Sequence, residues 1–370
     1  MSQAHNRAHN FSAGPAVLPP TVIAELQEAL PNFKGTGQGL MELSHRSSTF
    51  DEVINGAQSR LRQLLDIPQD YDILFLQGGA SLQFYMLPLN LLTPDEIGSY
   101  ISTGTWSVKA IKEAGRCSKV HTSWEPDSTV FNRVPADSEL AVEPASVYTH
   151  YTSNNTIFGT QFHRIPASSA HIVSDLSSDI CSRPIDISTH DVIYAGAQKN
   201  LGPSGVTAVI LSPWAVDKSR YVATARAGGL PSMLSYGLMV DKGSMFNTPN
   251  TFGIFALERM LAWLQGLGGV SAIADINQQK AAALYGVLDS SEFWVPHATK
   301  ESRSLMNVTW RIQQQQLESV FVDEAEKAGL KALKGHRSVG GIRASIYNAC
   351  PLESVQALCQ FMENFERKHG

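Results

Sequence analysis

Short apolar runs ending in small or polar residues recur along this chain, separated by longer stretches of helical period. The runs fall at residues 73–77, 98–101, 147–151, 172–175, 192–197 and 206–211. Each has the length of a strand, and runs apolar at successive positions belong to strands covered on both faces. Strands alternating with helical crossovers, such as 82–92, predict an α/β fold whose mostly parallel sheet is sandwiched by helices. Pro20 suits the first turn of a helix over 21–30. Thr49 and Glu52 predict a capping box for a helix carrying Val53, Ile54, Ala57, Leu61, Leu64 and Leu65 on one face, with Pro68 marking its end. Residues 221–243, with Gly228-Gly229 and Pro231, predict an irregular excursion.

Thr251 opens a helix with Ile254, Phe255, Leu257, Met260, Leu261 and Leu264 at helical spacing, stopped by Gly266-Leu267-Gly268-Gly269. A long alanine-rich helix over 270–288 follows. Beyond it come a strand near 306–310, a helix over 317–328, a strand near 342–346 and a closing helix over 352–365. The expected division is an N-terminal arm (1–16) packing with the small domain, a large domain (17–265) and a smaller C-terminal α/β domain (266–370).

Composition narrows the class. The 370 residues are 43% hydrophobic and 17% charged, as in a soluble globular enzyme with a large core. A net charge of −5 without a basic block gives no support for nucleic acid or an anionic membrane as partner. Cys117, Cys181, Cys350 and Cys359 have neither CxxC nor metal-site spacing, so no metal is expected and a reduced, cytoplasmic setting is the default. The first ten residues lack the apolar core of a secretory signal, and no run is long enough to span a membrane.

Candidate chemistry lies at the ends of the apolar runs. The run 192–197 delivers Gln198 and Lys199 into a turn built from Gly202, Pro203 and Gly205. A lone loop lysine is usually a solvated charge; one at the end of a buried strand is also placed to be an amine of depressed pKa that forms a Schiff base. Asp175 ends the run 172–175. A carboxylate and a lysine at one sheet edge suit pyridoxal phosphate: the lysine holds the aldehyde, and the acid keeps the pyridine nitrogen protonated. Upstream, Gln77-Gly78-Gly79-Ala80-Ser81 joins a strand to a helix, where free amides at the positive end of the helix dipole receive a phosphate. Neither GxGxxG nor GxxxxGK[ST] occurs there.

These features stand within longer motifs: Asn10-Phe11-Ser12-Ala13-Gly14-Pro15, Met41-Glu42-Leu43-Ser44-His45-Arg46-Ser47, Gly78-Gly79-Ala80-Ser81-Leu82-Gln83-Phe84, Ser177-Ser178-Asp179, Phe246-Asn247-Thr248-Pro249, and 335–345 with its Gly-His-Arg and Arg-Ala-Ser. From about Phe11 onward the chain resembles the class V, fold-type I pyridoxal-phosphate-dependent aminotransferases that act on phosphoserine. The resemblance implies transamination between L-glutamate and 3-phosphohydroxypyruvate, giving O-phospho-L-serine and 2-oxoglutarate, with 4-phosphohydroxy-L-threonine on the pyridoxine route as a second substrate. It implies a homodimer with shared active sites. Lys199 and Asp175 become catalytic. Ala80, Ser81, Gln198, Asn247 and Thr248 hold the cofactor phosphate, the last two from the neighbouring subunit; Trp106 stacks on the ring, and Thr156 lies near the phenolic oxygen. Arg343 becomes the α-carboxylate clamp and Ala13 a substrate neighbour. His45, Arg46, His336 and Arg337 become the pocket for phosphate or γ-carboxylate, drawn from both subunits. Many members carry Arg or Cys at Ser81, which leaves the set of phosphate contacts open at that position. Two rivals remain: a cysteine desulfurase using Cys350, and a non-catalytic phosphate- or aldehyde-binding module.

Overall fold

The structure is a computed structural model and describes residues 7–128 and 130–370; the first six residues of the expected arm lie outside it. Its centre is a seven-stranded sheet. In spatial order the strands are Asp72–Leu76, Thr207–Leu211, Val192–Gly196, His171–Asp175, Ser146–Thr152, Ile97–Ile101 and Lys119–Trp124. All neighbours pair in parallel except Thr207–Leu211, which is antiparallel to both of its own. The reason is length. Residues 197–206 are the whole connection from Gly196 to Thr207, whereas a parallel return needs a crossover of about a dozen residues or more.

Val192–Gly196 and Thr207–Leu211 are buried throughout because both sheet faces are covered. Ile73, Phe75, Ile193, Ala195, Ala208 and Ile210 pack with the helices Ser48–Leu65 and Thr251–Gly266. Leu74, Leu76, Tyr194, Val209 and Leu211 point the other way, into Gly79–Leu91, Thr105–Ala114 and Pro213–Ala225. This is the period-two alternation of a strand with an apolar layer on each side.

Local details correct three expectations. Ser47, not Thr49, caps Ser48–Leu65, its Oγ accepting from Phe50 N at 3.3 Å; the helix ends at Leu65, where Asp66 turns left-handed, before Pro68 is reached. Residues 221–243 are not wholly irregular: Tyr221–Ala225 completes the helix Pro213–Ala225, and Tyr236–Asp241 forms another. Ser212 caps the former, accepting from Ala215 N at 3.2 Å, and Pro213 occupies its first turn. The edge strand Lys119–Trp124 was not among the predicted runs, because only its last two residues are buried.

A second, antiparallel sheet joins Trp294–Pro296, Asn307–Ile312 and Ile342–Ser345, backed by Leu317–Lys327 and Leu352–His369. The N-terminal arm adds to this region: His9–Asn10 pairs in parallel with Leu330–Lys331, and Phe11 is buried among the same apolar side chains. The helix Gly269–Leu288 serves both cores, Val270 and Ile273 in one, Ala281, Leu284, Val287 and Leu288 in the other.

Candidate active site

Six strands that run in one direction end at one edge of the large sheet, the position at which open α/β sheets bind ligands. A cavity of about 330 Å³ opens there, lined by Arg343 of the second sheet, by His336 of the loop before that strand, and by Ala13 and Gly14 of the arm.

Lys199 enters it from the turn after Val192–Gly196, and its Nζ donates to Thr156 Oγ1 at 2.8 Å. Low-polarity surroundings push the amine down to about 8; the positive charge of Arg343 acts the same way, and Asp175 and Asp179 oppose both. Thr156 is presented by the tight turn between Asn154–Asn155 and Thr160–Gln161. That turn is tied down at its base by Asp179, which accepts from Ser153 Oγ at 2.6 Å and Gln161 Nε2 at 3.0 Å. Asp175 ends the neighbouring strand; Ser177 N donates to its Oδ1 at 2.9 Å. Burial raises its pKa, against the pull of Ser177 and Lys199.

Gly78 and Gly79 form the turn into Gly79–Leu91 with left-handed φ of +93° and +64°. A Cβ on Gly78 would lie 2.6 Å from the Leu82 Cβ, so glycine is required there by space as well as by φ. The first amides of that helix, at Ala80 and Ser81, face the cavity end and have no partner within the helix. Trp106 lines the cavity with its Nε1 buried and without a hydrogen-bond partner among the described residues.

Arg343 reaches in from Ile342–Ser345. Its Nη1 lies 3.5 Å from Thr156 O, its Nε is buried without a partner, and no carboxylate pairs with it among the described residues. Burial pushes even this guanidinium downward. His336 is held by Ser338, Nδ1 to Oγ at 2.6 Å, and is disfavoured as a cation by partial burial and by Arg343, Arg337 and Lys109. The cavity thus combines an amine, a buried carboxylate, a helix N-terminus and an unpaired guanidinium, which suits a small anionic substrate and proton transfer at carbon.

Of the residues singled out from the sequence, Ala13, Ala80, Ser81, Trp106, Thr156 and Asp175 line this cavity, as do Gln198, Lys199, His336 and Arg343. His45, Arg46, Arg337, Asn247 and Thr248 do not. Arg46, Arg337, Asn247 and Thr248 are exposed, and His45 partly so. Gln77 Nε2 donates to Thr248 O at 3.4 Å, which leaves the 247–248 loop beside the glycine turn but outside the cavity. Sequence reasoning missed Gly14, whose Cα faces the Lys199 and Gln198 side chains so closely that a Cβ would sit 3.5 Å from each. It also missed Tyr347, whose hydroxyl donates to Ala13 O at 2.9 Å and accepts from Asn307 Nδ2 at 3.1 Å. Ser177 and Ser178 stood in a recognised motif without a role; Ser177 Oγ accepts from Gly196 N at 3.1 Å, locking the Asp175 and Lys199 strands together.

Known proteins share this fold. The sequence profile of the class-V aminotransferases matches residues 8–358, and the chain belongs to that family. Within it, the chain is 49% identical to the phosphoserine aminotransferase of Desulfotalea psychrophila over 97% of its own length and 98% of that protein's. The crystallised phosphoserine aminotransferase of Bacillus circulans subsp. alkalophilus superposes with a TM-score of 0.93 at 43% identity, covering 98% of this chain and 99% of that one. The pyridoxal-phosphate-bound phosphoserine aminotransferase of Trichomonas vaginalis gives 0.90 at 35% identity, over 96% and 100%.

Proposed function

We propose that this chain transfers an amino group from L-glutamate to 3-phosphohydroxypyruvate, forming O-phospho-L-serine and 2-oxoglutarate, with pyridoxal phosphate as cofactor. The observation that carries the reading is Lys199: an amine of lowered pKa at the edge of a parallel sheet, with a buried carboxylate and an unpaired arginine in the same cavity. The near full-length likeness to named phosphoserine aminotransferases supports the substrate pair.

The residues present fit the cofactor. Ala80 and Ser81 would offer free helix amides to a phosphate, Gln198 lines the same cavity, and the unpartnered Trp106 indole would cover a flat ring. When bound, the cofactor supplies an electron sink for the pair left at the substrate Cα. Asp175 would hold a proton at the pyridine nitrogen by presenting a buried carboxylate. Thr156 Oγ1, already bonded to Lys199 Nζ, orients that amine. Lys199 Nζ, as a free amine, would take the proton from Cα, a task suited to an amine whose pKa is lowered to about 8. Arg343 binds the α-carboxylate through its planar fork, and desolvation by the cavity strengthens the pair. His336 and Arg337, with His45 and Arg46 from a second subunit, receive the phosphate or γ-carboxylate; Asn247 and Thr248 of that subunit reach the cofactor phosphate. The exposure of Arg46, Arg337, Asn247 and Thr248 on the single chain supports a homodimer with shared sites. The same pocket suits 4-phosphohydroxy-L-threonine. In this reading residues 17–265 and 266–370 are the two domains, the arm belonging with the second because it pairs with Leu330–Lys331. Unpaired cysteines favour the cytoplasm, and no described helix is long and apolar enough to cross a membrane.

No observation favours the desulfurase. Cys350 is buried in the second core, absent from the cavity, and burial pushes its thiol up to about 11. The test is the visible spectrum of the purified holoenzyme with and without L-phosphoserine. Conversion of the bound aldehyde form to the amine form is expected, and Lys199→Ala should abolish it; a spectrum that ignores both phosphoserine and glutamate overturns the reading.

A further inference from the structure

Three consecutive carbonyls in the large domain are each capped by a different asparagine. Ile180 O accepts from Asn200 Nδ2 at 3.0 Å, Cys181 O from Asn348 Nδ2 at 2.8 Å, and Ser182 O from Asn277 Nδ2 at 3.0 Å. The asparagines are also bonded to one another. Asn277 Nδ2 donates to Asn348 Oδ1 at 2.8 Å, and Asn348 N donates to Asn200 Oδ1 at 3.0 Å. All three are buried. Cys181 adopts a left-handed backbone, φ +56°, at the middle of the three carbonyls, a conformation that a non-glycine residue holds only where its surroundings compel it.

The three come from separate elements. Asn200 follows Lys199 directly. Asn348 lies in the turn after Ile342–Ser345, the strand that carries Arg343. Asn277 sits mid-way along Gly269–Leu288, between the side chains that serve one apolar core and those that serve the other. One turn further along that helix, Lys280 Nζ donates to Ile346 O, Tyr347 O and Cys350 O at 2.9, 2.7 and 3.1 Å, fixing the same turn from its other side. Three carbonyls match the three N–H bonds of an ammonium group. Apolar surfaces tolerate small slides past one another; a buried hydrogen-bond network does not, because each displaced donor strands an acceptor in a medium of low dielectric.

We infer that Asn200, Asn277 and Asn348 are positioning residues that set the separation between the Lys199 amine and the Arg343 guanidinium across the seam of the two cores. The inference rests on the roles proposed above for those two residues. With the network intact, a substrate whose carboxylate is gripped by Arg343 has its Cα presented to Lys199; with it broken, grip and proton transfer fall out of register.

A double-mutant cycle on the holoenzyme tests this, following the single-turnover spectral change with L-phosphoserine. Asn348→Ala should lower kcat/KM by about tenfold in the otherwise wild-type protein and far less in an Arg343→Ala background, where the separation no longer matters. Asn277→Ser, which touches neither the strand nor its turn covalently, should repeat the pattern and serves if Asn348→Ala does not fold. Equal losses in both backgrounds, or no loss with either asparagine variant, overturn the inference. A wild-type holoenzyme unmoved by phosphoserine and glutamate would instead overturn the proposed function.

Discussion

A lysine that titrates near neutrality leaves a mark on stability as well as on rate. Lys199 has its pKa lowered from the ordinary 10.5 to about 8, chiefly by its low-polarity surroundings. Below about 8 the folded and unfolded chains both carry the proton, so the cost of enclosing the charge is present in full. Between 8 and 10.5 the unfolded chain binds more protons than the folded one, and stability rises with pH. Cofactor-free Lys199→Met should therefore melt above the cofactor-free wild type at pH 7, with the difference shrinking toward pH 10. Calorimetry across that range decides, and a gap independent of pH would contradict the lowered amine. At this scale the sequence was legible where a residue stood at a strand end inside a motif, as Asp175 and Lys199 do. It was silent on Asn277 and Asn348, because an asparagine buried by tertiary contact has no spacing or periodicity to announce it.

Elements were easier to read than their directions. Buried strands wrote themselves as unbroken apolar runs, since helices cover both faces of the sheet. Lys119–Trp124 escaped because an edge strand keeps polar residues on its open side, and Pro213–Ala225 because its apolar face is thin, although Ser212 and Pro213 mark its start. No periodicity reveals that Thr207–Leu211 runs backwards; the brevity of residues 197–206 does. The strand–glycine–helix unit carries its own prediction. Gly78→Ala meets both a left-handed φ and the Leu82 side chain, and should destabilise the fold by about 1–3 kcal/mol and weaken retention of pyridoxal phosphate. Gly79→Asn has open space around its Cβ and a φ that asparagine enters, and should cost less on both counts. Urea unfolding and cofactor titration compare the two; equal losses would mean that the turn is not held by its backbone geometry.

For the whole molecule, the proposed dimer makes each active site a joint product. Arg46 and Lys199 would then serve different sites of one assembly. Arg46→Ala and Lys199→Ala, each inactive alone, should regain up to about a quarter of wild-type activity when unfolded together and refolded as a mixture, since half of the random dimers carry one intact site. Absence of recovery despite dimer formation would place Arg46 outside the shared site.

The pairing of His9–Asn10 with Leu330–Lys331 has a consequence for the order of events during synthesis. The arm leaves the ribosome long before its partner strand. Ala13 and Gly14 close the cavity from the end of that arm, so the nascent protein waits with its catalytic chamber unroofed until Leu330–Lys331 has been made. A ribosome-stalled chain ending before residue 330 should accordingly expose the arm to protease while a chain that includes the partner strand protects it, an asymmetry that ties the birth of activity to the synthesis of one distant strand.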